Sequence, residues 1–314
     1  MTFTQLEYVI AVDSCRHFAK AAARCFVTQP TLSMQIHKLE EELGIKIFDR
    51  SKQPVVPTEA GIDLIGGARK ILSERSHLLD TVQVRKGQLA GELRLGIIPT
   101  LAPYLLPLFV RDFHDRYPGV KLVVSELMTD VILQRLREGS IDTGILVTPL
   151  QDAGIQEQPL FYEELVAYVS PRYKAYDKEY VLAKDIDPEK LWLMEEGHCF
   201  RSQIVNLCEL RKSSGNASHF EYEVGSIETL RRMVDLNDGI TILPELSILD
   251  LSPVQREQIR HFRSPAPMRE ISMVTHREVV KKRMVGALRD EIVIALPAKI
   301  RANERMNLIP IQQQ

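Results

Sequence analysis

The N-terminal part of the chain carries apolar residues at the spacing of short helices. The first apolar set, which predicts a helix over residues 4–16, is Leu6, Val9, Ile10 and Val12. The alanine-rich run after Phe18 predicts a second helix whose small side chains let another helix approach closely. Thr28 followed by Pro30 is typical of a helix start, and Gly44 is typical of a helix end. The pattern therefore predicts three helices arranged as a helix-turn-helix unit.

The third predicted helix has an apolar face and a polar face. Its apolar face, which we expect to be buried, consists of Leu32, Ile36, Leu39 and Leu43. The residues that turn outward are Pro30, Thr31, Ser33, Met34, His37 and Lys38. A small, polar and mildly basic face of this kind can enter a major groove, with Lys38 available to phosphate. The alternative is a solvated face of a small helical subdomain, and periodicity alone does not separate the two.

Two short strand-like runs follow this helix. They cover residues 45–50 and 54–58 around a polar turn, which is typical of a wing. Arg50 and Lys52 lie at that turn, and we expect them to reach the DNA backbone.

A long amphipathic helix is predicted over residues 58–85. Its apolar stripe, which Arg75 interrupts, consists of Leu64, Ala68, Ile71, Leu78 and Val82. About 27 residues of helix span roughly 40 Å, which is more than the small preceding domain can cover. We therefore predict a stripe that pairs two subunits. Packing of the helix on its own domain is the alternative.

Strand-like and helix-like runs alternate beyond this helix. Strands are predicted over residues 92–98, 120–126, 142–147, 165–169, 192–195, 220–224, 240–244 and 271–274. Helices are predicted over residues 104–117 and 130–138, from Cys199 onward, over 227–234 with Ser226 as the cap, and over 278–296. This alternation predicts an α/β fold with a parallel, doubly wound sheet. The polar residues 301–314 predict a frayed tail.

These elements predict a division into three parts. We expect a helix-turn-helix, DNA-binding domain over residues 1–58, a linker helix over 59–88 and an α/β domain over 89–314. In the α/β domain, one subdomain covers about 89–163 and 268–300, and the other covers about 164–267. Ligands of open α/β sheets lie beyond the carboxyl ends of strands, so we expect one cleft to hold four residues. They are Thr100, Thr129, His198 and Cys199.

Composition adds limits to this picture. The chain has 314 residues, of which 45% are hydrophobic and 26% charged, as is typical of soluble globular proteins of about two domains. Because the net charge is -2, any DNA contact must come from a local surface. No apolar run reaches the ~18 residues of a membrane span, and the N-terminal stretch has no basic leader. We therefore expect a cytosolic protein that does not enter membranes.

The chain has 4 cysteines, too dispersed for a disulfide framework. Cys15 and Cys25 fall on predicted helices, and we expect them in the core of the N-terminal domain. Cys199 and Cys208 flank an amphipathic run. If that run is one helix, nine steps of ~1.5 Å separate their Cα atoms by ~13.5 Å, whereas a disulfide needs less than ~7 Å. Bonding them would therefore require refolding; the alternative is two small buried hydrophobes.

The surroundings of Cys199 favour thiolate chemistry. It stands at a predicted helix start between His198 and Arg201, and helix N-termini and positive charge both lower the pKa of a cysteine. Cys208 lies beside leucines and would be the more inert thiol. A reactive thiolate with a second cysteine placed to condense with its sulfenic acid is expected of a redox sensor.

The N-terminal motifs resemble those of the LysR-type transcriptional regulators. In chain order the motifs are residues 18–23, Thr28-Gln29-Pro30-Thr31-Leu32-Ser33, Leu39-Glu40-Glu41-Glu42-Leu43-Gly44, Phe48-Asp49-Arg50 and Thr58-Glu59-Ala60-Gly61. The resemblance implies a winged helix-turn-helix that reads double-stranded DNA as a dimer, and a regulatory domain with two subdomains like those of periplasmic binding proteins. The residues implied in DNA binding are Thr28, Gln29, Pro30, Thr31, Ser33, Met34, His37, Lys38 and Arg50.

Further motifs resemble the peroxide-sensing branch of that family. They are Gly197-His198-Cys199-Phe200-Arg201 with Cys208 after it, Leu95-Gly96-Ile97-Ile98-Pro99-Thr100, Tyr104-Leu105-Leu106-Pro107, Ser226-Ile227-Glu228-Thr229-Leu230-Arg231 and Gly239-Ile240-Thr241-Ile242-Leu243-Pro244. The resemblance implies that Cys199 attacks hydrogen peroxide and that Cys208 resolves the sulfenic acid to a disulfide. The residues implied around the peroxide and the thiolate are Thr100, Thr129, His198, Arg201, Ser202 and Arg269. Ser202 stands where well-known members carry an aspartate, which alters the hydrogen bonding beside Cys199.

The resemblance implies a cytoplasmic activator, homodimeric or homotetrameric, that is not an enzyme and needs no cofactor or metal. Its implied partners are promoter operator DNA, RNA polymerase, hydrogen peroxide as the signal and a thiol reductant system. A LysR-type regulator of a small metabolite, with incidental cysteines, is the main alternative. A stand-alone peroxidase would not need a DNA-binding domain. A metal site at His198, Cys199 and Cys208 would lack a fourth ligand.

Overall fold

The computed structural model describes residues 1–84, 89–150, 152–173, 177, 180–194, 199–208, 225–277, 279, 281–304 and 307–309. The description leaves out the side chains at positions 73, 76, 77, 79–84, 185 and 199. The predicted strand over residues 220–224 therefore lies outside the described residues, as does the end of the strand predicted over 192–195.

Three helices and a two-stranded wing form the N-terminal domain. The helices are α1 (Phe3–Cys15), α2 (Phe18–Arg24) and α3 (Gln29–Leu43). Thr28 caps α3 by accepting a hydrogen bond from the backbone of Thr31, and Gly44 ends the helix with a φ of 68°. In the wing, β1 (Phe48–Asp49) pairs antiparallel with β2 (Val56–Pro57). These elements confirm the predicted helices, helix cap, helix end and strand pair.

The predicted apolar face of α3 is wrong at its last position. Leu43 is 38% exposed, whereas Glu40 is buried together with the rest of the apolar face. The Glu40 carboxylate is tolerated inside because it accepts a hydrogen bond from the Ile47 N–H at 2.9 Å and pairs with Arg50. Helical periodicity counts apolar residues, so it does not detect a charged residue whose partners lie beyond the helix.

The long linker helix is α4 (Glu59–Val84), as predicted. Ala68, which was assigned to a stripe between subunits, is instead buried in the N-terminal core with Ile65. The first half of α4 therefore packs on its own domain, while Ile71 and Leu78 remain exposed. The side chain of Val82 lies outside the described residues.

The first half of the regulatory region contains a parallel group of strands in the order β4-β3-β5. The strands are β3 (Gly91–Ile97), β4 (Val120–Glu126) and β5 (Thr143–Thr148), and the crossover helices are α5 (Ala102–Arg116) and α6 (Thr129–Arg137). A later strand, β10 (Met268–His276), joins this group antiparallel to β5. After it, α10 (Lys282–Ala295) packs beside α5.

One long strand, β6 (Ile155–Val169), belongs to both halves. Residues 155–164 of β6 pair with β10, and residues 165–169 pair with β8 (Ile240–Pro244). The second half is completed by β7 (Tyr180–Val181) and β9 (Ile259–Phe262) and by the helices α7 (Cys199–Leu207), α8 (Ile227–Leu236) and α9 (Pro253–Arg256). In the described part of this half, 3-10 turns lie at Ala183–Asp185, Pro188–Lys190 and Glu245–Ile248.

The prediction of a parallel sheet is correct for part of the strands and wrong for the rest. Strands β10, β8 and β9 all run antiparallel to β6. The long strand β6 passes from the first half into the second, and the later strands come back beside it in the opposite direction. These neighbours of β6 are therefore antiparallel to it. The strand predicted over residues 192–195 is also wrong over its described part, which is not a continuous strand. Isolated bridges occur at the neighbouring Leu191, to Ile240, and at Met194.

The described C-terminal residues, 298–304 and 307–309, contact this framework. After the short helix α11 (Ala298–Arg301), Leu308 forms a bridge to Met268, and Ile309 is buried in the core of the second half. The expectation of a frayed tail is therefore wrong for residues 307–309, because their backbone forms two hydrogen bonds with Met268 at the start of β10.

Candidate functional site

A fully buried guanidinium lies where the two halves of the regulatory region meet. Arg269, on β10, donates from Nε to Glu163 Oε1 at 2.7 Å. Its Nη1 donates to Thr100 Oγ1 at 3.2 Å, and its Nη2 donates to the Thr100 carbonyl at 3.4 Å. Thr100 and Arg269, which the sequence placed in one site, are therefore in direct contact.

Glu163 is the member of this cluster that sequence reasoning missed. It lies on β6 with no solvent exposure, and its Oε2 accepts a hydrogen bond from the Leu246 N–H at 3.0 Å. Burial raises the pKa of the Glu163 carboxyl, and the Arg269 guanidinium acts against that rise. The sequence signal was a pair of glutamates at the edge of an apolar run, which does not distinguish an exposed carboxylate from a buried one.

Helix α7 begins against the same guanidinium. The Cζ atom of Arg269 lies 5.2 Å from the centre of the buried Phe200 ring, within the range of a cation–π contact. Arg201 donates from Nη1 to the carbonyl of Met194 at 2.7 Å, so its guanidinium holds the first turn of the helix to the preceding segment. Because Phe200 directly follows Cys199, these contacts fix the backbone of Cys199 close to the Thr100 cluster.

The two ends of α7 carry the predicted redox cysteines. His198 and the side chain of Cys199 lie outside the described residues, and Ser202 is half-buried in the first turn. Cys208 directly follows the helix, with its N–H donating to the Ile204 carbonyl at 3.0 Å. Its thiol is free, and burial raises the pKa of Cys208 to about 11. Since the stretch is helical as predicted, the separation of ~13.5 Å applies, too long for a disulfide.

Thr129 lies at the same edge of the sheet as Thr100. Strands β3 and β4 are parallel, with Ile97 opposite Glu126, and each threonine lies three residues beyond its strand partner. Thr129 is the first residue of α6 and is half-buried. The sheet therefore brings both threonines to one edge, as the sequence predicted.

The predicted DNA-binding face is exposed on α3 and its cap. Its exposed members are Thr28, Gln29, Pro30, Met34, His37 and Lys38, and its half-buried members are Thr31 and Ser33. The hydroxyl groups of Thr28 and Thr31 lie 2.8 Å apart, so part of their hydrogen-bonding capacity is used at the helix start. His37 Nδ1 lies 3.3 Å from the Glu41 carboxylate.

Arg50 has a structural role that the sequence did not indicate. It was expected to reach the DNA backbone, yet its Nη2 pairs with Glu40 at 3.1 Å and its Nη1 donates to Ser33 at 3.0 Å. Its guanidinium also lies 4.8 Å from the centre of the Phe18 ring. Arg50 therefore fastens the wing to α3, while 37% of its side chain remains accessible to a phosphate.

Comparison with known proteins decides the family. Residues 3–62 match the bacterial regulatory helix-turn-helix protein of the lysR family, and residues 86–296 match the LysR substrate binding domain. The chain belongs to the LysR family.

Several proteins of known name are similar to this chain in sequence or in structure. The hydrogen peroxide-inducible genes activator of Pectobacterium carotovorum is 36% identical over 87% of this chain and 90% of that protein. A full-length OxyR variant from Pseudomonas aeruginosa is 32% identical, with a TM-score of 0.76 over 94% of this chain and 98% of that one. An H2O2-bound OxyR mutant from Corynebacterium glutamicum is 26% identical, with a TM-score of 0.59 over 94% of this chain and 92% of that one.

LysR membership confirms the predicted fold class, a winged helix-turn-helix followed by a two-part α/β regulatory domain. It also confirms the resemblance on which the prediction of a DNA-binding regulator rested, and this family is not an enzyme class.

The described part of the chain offers neither a membrane-spanning helix nor a metal-binding cluster. Among its helices, none combines the length and apolar character needed to cross a bilayer. Among the described residues, no group of three or more His, Cys, Asp and Glu side chains could hold a metal ion. The alternative of a metal site at His198, Cys199 and Cys208 lies in part outside the described residues.

Proposed function

We propose that this LysR-family chain is a hydrogen-peroxide-sensing transcriptional regulator switched by a reversible Cys199–Cys208 disulfide. The observation that carries the proposal is α7 itself, whose start packs on the Arg269–Thr100 cluster and whose end carries a buried, free Cys208 thiol. Relatives named hydrogen peroxide-inducible genes activator support the same signal. Peroxide chemistry at one end of the helix can thereby alter the whole helix.

The proposed reaction proceeds in two steps. The Cys199 thiolate attacks one oxygen of hydrogen peroxide, the O–O bond breaks, and a sulfenic acid and hydroxide form. The Cys208 thiol then attacks the sulfenic sulfur, losing its proton and releasing water. Overall, two thiols and one hydrogen peroxide give one disulfide and two waters. A cellular thiol reductant system would return the disulfide to two thiols.

The proposed roles of the surrounding residues follow from their donors. Thr100, Thr129 and His198 would bind the peroxide, and Arg269 would hold the Thr100 hydroxyl in place. Arg201 and Ser202 lie in the first turn of α7, where their contacts would set how easily the helix opens. The raised pKa of Cys208 keeps it a neutral thiol until unwinding exposes it.

The proposed output is a change in how two DNA-binding domains are held. Arg69 of α4 donates to the carbonyl of Arg137 at 2.9 Å and pairs with Asp13 of α1 at 2.8 Å, so it touches both the regulatory and the DNA-binding parts. The exposed apolar side chains of Phe3, Ile71 and Leu78 support pairing of two copies along α4.

We propose that the chain works in the cytoplasm as a homodimer or homotetramer on promoter operator DNA, activating transcription through RNA polymerase. The DNA would be contacted by Thr28, Gln29, Pro30, Thr31, Ser33, Met34, His37 and Lys38, with Arg50 supporting the wing.

Non-reducing peptide mass mapping of the full chain before and after micromolar peroxide tests the proposal. A Cys199–Cys208 link should appear after exposure, and Cys199→Ser should abolish both the link and the change in transcription while DNA binding in the reduced state persists. Cys25→Ser is the matched control and should respond as the unmodified chain does. A Cys199→Ser variant with a full peroxide response would overturn the proposal and favour a metabolite-responsive regulator.

A further inference from the structure

Residues 307–309, here called the C-terminal latch, are fastened to β10 and its approach. The Met268 N–H donates to the Asn307 carbonyl at 2.9 Å, and the Ile309 N–H donates to the Met268 carbonyl at 3.0 Å. The Asn307 side chain donates from Nδ2 to the Pro265 carbonyl at 3.1 Å. The latch therefore lies beside the start of β10 through a single parallel bridge at Met268, the residue before Arg269.

The latch also holds the middle of the redox helix. Gln203 lies midway along α7 with no solvent exposure, and its Nε2 donates to the Ile309 carbonyl at 3.2 Å. The Ile309 side chain is buried in the same core as Phe200 and Ile204 of α7. Gln203 Oε1 has no hydrogen-bond partner within the described part of the chain. Within the described part of the chain, the buried Gln203 amide therefore makes its side-chain hydrogen bond to the Ile309 carbonyl.

A Cys199–Cys208 disulfide cannot form while the stretch between the two cysteines stays helical. The two Cα atoms must approach from ~13.5 Å to less than ~7 Å, which requires α7 to unwind. Gln203 lies inside the loop that the disulfide closes, so unwinding would move the residue that contacts Ile309. The Ile309 carbonyl then loses its donor, and a buried carbonyl without a donor is unfavourable.

We propose that Gln203 and the C-terminal latch are positioning elements that hold α7 in its helical, reduced form, and that disulfide formation releases the latch. This inference rests on the proposed function. A contact made in only one of two states shifts the equilibrium toward that state. The latch therefore makes the disulfide less favourable, and it sets the oxidant level at which the switch responds.

The test compares three full-length or truncated chains in glutathione buffers of known potential. A chain ending at residue 306 lacks the latch, and a chain ending at residue 312 is the matched control, because it keeps the latch with Ile309 in an ordinary peptide bond. Gln203→Met removes the side-chain amide, both its Nε2 donor to Ile309 and its unpartnered Oε1. Loss of the latch should raise the equilibrium constant for the Cys199–Cys208 disulfide about tenfold, which lowers the midpoint potential by about 30 mV. Gln203→Met should shift it in the same direction, and the control should match the unmodified chain.

The outcomes separate this inference from the proposed function. If the unmodified chain forms no Cys199–Cys208 disulfide, the proposed function fails and the inference fails with it. If the disulfide forms but the chains ending at 306 and 312 share one midpoint potential, the proposed role of the latch is overturned while the proposed function stands. Should the shorter chain fail to fold, Gln203→Met decides between a shifted and an unchanged midpoint. Carboxypeptidase should also remove residues 307–309 faster from the oxidised than from the reduced chain; equal rates would contradict release.

Discussion

Arg269 and Glu163 form an ion pair from which solvent is completely excluded, with Arg269 Nε 2.7 Å from Glu163 Oε1. The same guanidinium donates to Thr100 and lies against Phe200. Strands β6 and β10, the turn after β3 and the start of α7 therefore meet at the Arg269 guanidinium. Arg269 serves both the packing of the two halves and the proposed peroxide site. A substitution of Glu163 and a substitution of Arg269 should therefore affect stability and peroxide reactivity to different extents.

Glu163→Gln should strongly destabilise the chain. The substitution leaves the Arg269 charge buried without its counter-charge, and breaking a buried pair costs about 3–5 kcal/mol. Urea unfolding measures the loss. Glu164→Gln is the matched control on the neighbouring position, where the carboxylate is partly exposed and lies 3.9 Å from His261. The control should lose less than about 1 kcal/mol. Equal losses in the two variants would contradict the assigned role of the pair.

Arg269→Lys should slow oxidation more than it affects folding. A lysine ammonium can still pair with Glu163, but it lacks the planar fork that also reaches Thr100. We expect disulfide formation with peroxide to slow by about tenfold to a hundredfold, because small displacements of positioning groups have effects of that size. Stopped-flow oxidation followed by acid quench and mass mapping gives the rate. Arg289→Lys, whose guanidinium pairs with the adjacent exposed Asp290, should leave it unchanged.

Cys208 should react with alkylating agents slowly in the folded chain. Burial favours its neutral thiol and raises its pKa from the ordinary value of 9.0 to about 11. A difference of about two pKa units lowers the thiolate fraction about a hundredfold at pH 8, so alkylation should be slower by at least that factor than in urea. Iodoacetamide labelling of the Cys199→Ser variant with peptide mapping measures both rates. Equal labelling rates in the folded chain and in urea would contradict the burial of the Cys208 thiol.

The raised pKa of Cys208 also predicts that the stability of the folded chain falls at alkaline pH. Because the folded pKa exceeds the unfolded one, the contribution of Cys208 to stability is complete below about pH 9 and is lost as the pH rises toward about 11. Cys208→Ala should therefore weaken the decline of stability over that window. If the free energy of unfolding falls equally steeply with pH in the variant, groups other than Cys208 cause the decline.

Lys38→Ala should weaken DNA binding and flatten its dependence on salt. Lys38 is exposed on the outer face of α3, and each phosphate contact that is lost should reduce the slope of log K against log salt by about 1. Fluorescence anisotropy with operator DNA at several salt concentrations provides the slope. Lys121→Ala, on β4 and paired with Glu92, is the control and should leave the slope intact. An unchanged slope for Lys38→Ala would remove Lys38 from the interface.

The elements that depend on neighbouring residues could be predicted from the sequence. The start of α3 at Thr28 and its end at Gly44 follow from capping chemistry, which acts over a few residues. Helix α7 and the approach of Thr100 to the edge of the sheet followed from periodicity and from the rule on strand ends. By itself, therefore, the sequence determined the helices, most strands, the family motifs and the location of the candidate site.

Only the tertiary structure decided which polar residues are buried and what fastens the redox helix. Glu40 and Glu163 look like surface carboxylates, yet each is buried because its cationic partner comes from a separate element, Arg269 being 106 positions from Glu163. The latch contact joins Gln203 to Ile309 across a similar distance along the chain. Local patterns record the hydrophobicity of a residue but not its distant partners, and those partners determine whether burying a charge or an amide is tolerated.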